Sequence, residues 1–202
     1  DDNFHRVLGI QYSQYLKSDI DFRWYRRLDD QNRMAYRLFA GVIYPYGNAE
    51  GSSPFIKKYY AGGANSIRAW PVRSLGPGST EPSQTGVYNQ LGDVRLEANM
   101  EYRFHMFWMF EGAVFADVGN IWELPGSTTE KQAAFYFDRF YKQLAVGSGV
   151  GLRMDLSFII IRFDFGLKLR NPTKPEGKRW LPGQASYKFD QWTFNFGISY
   201  PF

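Results

Sequence analysis

The stretch QWTFNFGISYPF at the end of the chain alternates strictly. Trp192, Phe194, Phe196, Ile198, Tyr200 and Phe202 fall on one side, and Thr193, Asn195, Gly197 and Ser199 on the other. A period of two is the signature of a β-strand whose two faces meet different surroundings. The same pattern returns along the chain. Ile161, Phe163, Phe165, Leu167 and Leu169 alternate with Arg162, Asp164, Gly166, Lys168 and Arg170. Val94, Leu96, Ala98, Met100, Tyr102 and Phe104 oppose Asp93, Arg95, Glu97, Asn99, Glu101 and Arg103. Segments around 16–24, 33–44, 110–119 and 146–155 read the same way. About seven antiparallel strands are expected, each near the roughly 9–11 residues that a membrane strand needs.

Two architectures fit this alternation: a soluble β-sandwich or small barrel, and a transmembrane β-barrel with lipid outside and a polar lumen. Residue choice favours the membrane barrel. Aromatics make up 19% of the chain, and the apolar rows end in Tyr44, Tyr46, Trp108, Trp122, Trp192 and Tyr200, as interfacial girdles do. Gaps between strands alternate short (Leu28–Gln31, His105–Met109, Leu156–Phe158) and long (47–92, 124–142, 171–189). Short inner turns and long outer loops are the asymmetry of outer-membrane barrels. Seven strands are too few for a single-chain barrel, whose strand count is even and starts at eight. Residues 4–11 could supply an eighth, but the preferred reading makes residues 1–202 the C-terminal part of a larger barrel.

Composition removes other classes. The chain has no cysteine, so disulfides and thiolate metal sites are excluded. A net charge of +4 without a basic run gives no footprint for nucleic acid. No apolar run approaches the length of a membrane helix. DDNFHRVLGI has no signal-peptide pattern, so any export leader is expected upstream or already removed. His5 and His105, at a terminus and in a turn, do not suggest a metal pair or a hydrolase. No cofactor is expected. GSGVG at 147–151 sits in a strand and is read as close backbone packing against another segment, not as a phosphate loop. Residues 130–143 could form a short amphipathic helix, but simple loop packing is the favoured reading.

The remaining feature is YYAGGANSIRAWPVRSLGPGST, residues 59–80. Loops beyond about 12–15 residues are usually functional or disordered, and Ile67, Trp70, Val72 and Leu75 argue against disorder. An arginine can enter a barrel only where the lumen supplies anions. By parity Glu101 and Asp117 face the lumen from adjacent strands, and a guanidinium fork suits carboxylates.

These residues resemble the BamA/TamA superfamily of outer-membrane assembly and translocation proteins. That family has a long loop folded into the lumen, with a Val-Arg-Gly-Phe/Tyr tip between Gly-Gly and Gly-Pro. Here GGANSIRAWPVRSLGPG matches, with Ile67, Arg68, Ala69 and Trp70 at the tip. The family strand Phe/Trp-x-Asp-x-Gly matches Phe115, Asp117 and Gly119, and its inward glutamate matches Glu101. Ala69 departs from the usual glycine, so the tip either keeps a negative φ there or carries strain. The resemblance implies a sixteen-stranded barrel and a non-enzymatic role in inserting or translocating client proteins at the bacterial outer membrane. It implies Arg68 bonded to Glu101 and Asp117. It also implies a weak seam at the last strand, where Trp192, Phe194, Phe196, Tyr200 and Phe202 double as an assembly signal. Partners would be outer-membrane lipids, unfolded clients and periplasmic or lipoprotein subunits. A passive porin-like channel and a barrel-borne hydrolase remain the alternatives.

Overall fold

The computed structural model describes residues 6–49, 51–81, 90–184 and 191–202. His5 lies outside them, as do parts of loops 47–92 and 171–189. A seven-stranded antiparallel sheet runs in sequence order through β3 (Gln14–Arg27), β4 (Asn32–Tyr46), β5 (Val94–Phe107), β6 (Phe110–Trp122), β7 (Ala145–Asp155), β8 (Ile160–Arg170) and β9 (Trp192–Ile198). The seven expected strands are present. Residues 4–11 are the alternative source of an eighth strand; among the described residues, β1 (Arg6–Val7) and β2 (Ile10–Gln11) pair only with each other, around a turn at Leu8 and Gly9 that both adopt positive φ. β3 to β6 run to 13–15 residues, longer than expected. Their outer ends form the wall against which loops pack.

The burial pattern is inside out. On the apolar face Leu16 and Ile20 are each 67% exposed, and Phe22, Leu38, Val150, Phe194 and Phe196 are also open. On the other face Arg153, Arg162, Glu101, Asp117 and Asp164 are almost completely enclosed. A water-soluble sandwich would cover its apolar rows. Here the charges are covered and the apolar rows are bare, as lipid requires.

Two expectations need correction. Trp122 is not in a girdle. It is fully buried, with its Nε1–H donating to Gln143 Oε1 at 2.8 Å and Phe135 and Phe140 packed edge-on against it. Residues 130–143 take the favoured reading of the two, a packed loop of turns and one 3-10 turn, Phe140–Gln143. The Ala133 carbonyl and Phe135 amide are bonded to Glu123 at the end of β6, so that stretch cannot satisfy itself as a helix. Tyr200 and Phe202 leave the apolar row. The strand stops at Ile198, Ser199 adopts φ 73°, and the chain turns to the polar face. There Tyr200 Oη donates to Glu111 at 2.8 Å, and buried Phe202 accepts a bond from Arg103 at its carbonyl. Pro201 supplies no ladder donor, which favours this departure.

The absence of cysteine makes labelling simple. A maleimide added outside intact cells is expected to reach Thr129→Cys and Lys174→Cys, both exposed on the long connections. It should reach Asp30→Cys, in the β3–β4 turn, only after permeabilisation. The reverse pattern would overturn the topology.

Candidate functional site

Across the polar face the register aligns Glu101, Phe115, Gly149, Gly166 and Thr193 in one row. The next row outward carries Asn99, Asp117 and Gly147. Glu101 and Asp117 are therefore diagonal neighbours on β5 and β6, close enough for one forked side chain to reach both. The two glycines beside Phe115 leave a shallow floor. The tip of loop 59–80 lies on it.

Local chemistry shapes the tip. Gly62 and Gly63 take positive φ, and a Cβ on Gly62 would collide with the Pro71 carbonyl. Gly63 N–H donates to the Trp70 carbonyl at 2.7 Å, and Trp70 N–H to the Ile67 carbonyl at 3.1 Å, closing a compact turn. Ile67, Ala69, Trp70 and Leu75 then pack on Ile43, Ile121 and Ala145. Those three wall positions belong to the polar face but are apolar near its outer end. Ala69 is not among the residues with positive φ, and its methyl faces Gly147, so alanine is accommodated there without left-handed strain.

Arg68 is fully enclosed. Its Nε and Nη2 donate to the two Asp117 carboxylate oxygens, each at 2.9 Å, and its backbone N–H donates to Asp117 Oδ2 at 3.0 Å. Nη1 donates to Glu101. The guanidinium lies 3.6 Å from the centroid of the Phe115 ring, a cation–π contact in a desolvated place. Burial opposes the charge, but Asp117 and Glu101 outweigh it and raise the Arg68 pKa above its usual value.

The acids have other neighbours. Glu101 also accepts from Arg103 at 2.7 Å and lies 3.0 Å from Arg153, which in turn is 2.8 Å from Asp164. Asn99 Nδ2 donates to Asp117 at 3.0 Å and to the Ser66 carbonyl at 3.1 Å. Phe202 brings its ring to 5.8 Å from the Arg68 guanidinium, so the terminal turn closes this pocket from one side. Gly119 packs against Leu96 and Glu97 of β5, where a Cβ would meet backbone.

Two site residues carried no warning in the sequence. Asn195 Nδ2 donates to the Arg68 carbonyl at 2.8 Å, and Thr193 Oγ1 to the Ala69 carbonyl at 2.8 Å. Both come from β9. The only signal was their polar parity opposite Asp164 and Gly166 of β8. Trp192, Phe194 and Phe196, by contrast, stay outside, and Phe194 and Phe196 pack with Phe163 and Phe165. The arrangement holds a loop in place by ion pairs.

Comparison with known proteins agrees with this architecture. The family described as "Omp85 superfamily domain" matches residues 4–202. No curated protein sequence matches the chain. Among solved structures, BamA from Haemophilus ducreyi lacking POTRA domains 1-3 is similar over 92% of this chain and 35% of its own, with a TM-score of 0.61 and 17% identity. The chain thus spans about a third of that structure, and the open sheet is a portion of such a barrel.

Proposed function

Because this chain belongs to the Omp85 superfamily, we propose that it forms the C-terminal wall and inserted loop of a bacterial outer-membrane barrel that inserts or translocates client proteins. Residues 1–202 act as one barrel piece, with loop 47–92 entering the lumen. The supporting observation is the locking of Arg68 to Asp117 and Glu101. A passive channel needs an open lumen, whereas this polar face is filled by a folded loop tip. The proposed role is non-enzymatic, that of a scaffold in which ion pairs hold a loop in place. β9 has a free edge among the described residues, and a strand edge in lipid must find a partner. Client strands are the proposed transient partners there. Lipids, and periplasmic or lipoprotein subunits, complete the set.

The test uses the full-length protein in place of the host's own copy. Loss of the protein is expected to deplete other outer-membrane barrels, and Arg68→Ala to reproduce that depletion while the variant itself still reaches the membrane. Normal client levels in both cases, with steady conductance in planar bilayers that ignores the substitution, would establish a channel instead.

A further inference from the structure

Phe135, Phe137 and Phe140, in the segment between β6 and β7, lie against the apolar face. Val94 and Trp122 share the row of Val42 by register, yet both are buried, because Phe135 and Phe140 cover this end of the sheet. Between the segment and the sheet is a cleft of about 480 Å³ lined by Ile20, Val42, Leu96, Phe135, Phe137 and Phe140. That volume is within the roughly 300–1,000 Å³ of ligand pockets. Its inner wall continues the bare apolar rows, and Phe137 stands 85% exposed at its rim.

A cationic cluster adjoins it. Lys142 follows Phe140 by two residues, a reach of at most about 7 Å. Arg170 Nη2 and Arg179 Nη1 both donate to the Lys142 carbonyl, each at 2.6 Å. Strict alternation puts Arg170 on the polar face. A register shift between Val146 and Gly147 instead sets it opposite Val146, an apolar-face position. The β8 extension brings Arg179 alongside, through Asn171 N–H bonded to the Arg179 carbonyl at 2.8 Å. Among the described residues no carboxylate lies within 4.0 Å of Lys142, Arg170 or Arg179. Two guanidiniums converging on one carbonyl repel each other, and an anion between them would relieve this.

We propose that this cleft and cluster form a binding site for an anionic, phosphate-bearing lipid of the outer leaflet, the acyl chain in the cleft and the phosphate on Arg170, Arg179 and Lys142. The inference rests on the membrane reading of the apolar face. The apolar cleft gives way to the cationic cluster within two residues, from Phe140 to Lys142, as a lipid gives way from chain to headgroup, and exposed Phe137 sets the cleft's rim on the apolar face. Both features favour a lipid over a protein partner.

The full-length protein is reconstituted in nanodiscs with a trace of photo-crosslinking lipid, carrying either an anionic phosphatidylglycerol headgroup or a zwitterionic phosphatidylcholine one on identical chains. Labelling of peptides covering 130–143 is read by mass spectrometry. The anionic probe is expected to label them several times more than the zwitterionic one. Arg170→Gln with Arg179→Gln should erase that preference, since each charge near the surface is worth about fivefold. Arg179→Gln alone, outside the sheet, gives the same reading at about fivefold if the double variant fails to assemble. Peptides carrying Phe163 and Phe165 are the control and should label equally with both probes. No labelling there sinks the membrane reading itself. Labelling there without labelling at 130–143, or equal labelling of 130–143 by both probes, overturns the lipid site alone. So does loss of the anionic preference in millimolar inorganic phosphate at matched ionic strength, which would mark a site for a soluble anion.

Discussion

Replacing Arg68 by alanine is expected to free the tip of loop 59–80 and abolish function while leaving most of the sheet intact. Asp117 loses three donors, Glu101 loses one, and Phe115 loses the cation above its ring (the backbone donor goes when the tip lifts away). Removing one member of a buried pair typically costs about 3–5 kcal/mol, because the other charge is stranded. Water entering the lumen should lower that figure. Arg68→Lys should recover only part, since an ammonium cannot make the two-pronged contact. The acids should not behave alike. Asp117→Asn should resemble Arg68→Ala. Glu101→Gln removes the carboxylate beside Arg68, Arg103 and Arg153 together, so it should also weaken the wall. The measurement is limited proteolysis of the loop in the full-length protein, beside heat-modifiable migration of the barrel. A tip that stays protected in Arg68→Ala would refute the grip assigned to these ion pairs.

The wall was legible because its physics is periodic. In β4, Leu38 and Val42 point one way and Arg37 and Ile43 the other, and no longer-range information is needed to see it. The same parity put Glu101 and Asp117 on the face where Arg68 now lies. What failed to show were departures from the period. A one-residue register shift changes the face of every side chain beyond it, and nothing in the sequence around Val146 and Gly147 separates a bulge there from plain alternation. Arg170 was therefore assigned to the wrong side. Tyr200 and Phe202 were misplaced for a similar reason: they keep the alternation in letters after the ladder has ended. At 130–143 the deciding contact is with Glu123, outside the segment. Asn195 and Thr193 reach carbonyls far away in the chain, and no local pattern encodes that.

Enlarging Gly166 is expected to expel the loop tip without touching a charge. An added Cβ would sit 2.5 Å from the Arg68 carbonyl oxygen, 2.7 Å from its carbonyl carbon and 2.8 Å from the Ala69 Cα. All three belong to the backbone of the tip, which cannot swing aside as a flexible side chain could. Gly166 has an ordinary backbone conformation, so alanine brings no strain of its own. Overpacking typically costs about 1–3 kcal/mol, and here lifting the tip relieves it. Doing so breaks the bonds to Asp117, Asn195 and Thr193 together, because they hang on two adjacent residues, Arg68 and Ala69. Gly166→Ala should then expose the loop to protease much as Arg68→Ala does, and Gly166→Val should do so more completely. Gly149 provides the contrast. An added Cβ there would meet the Phe165 carbonyl within the sheet itself and the Phe115 ring, so Gly149→Ala should lower the heat resistance of the barrel. If Gly166→Val leaves the tip protected and the full-length protein active, close contact between loop and wall is not what holds the tip, and the ion pairs alone must do so.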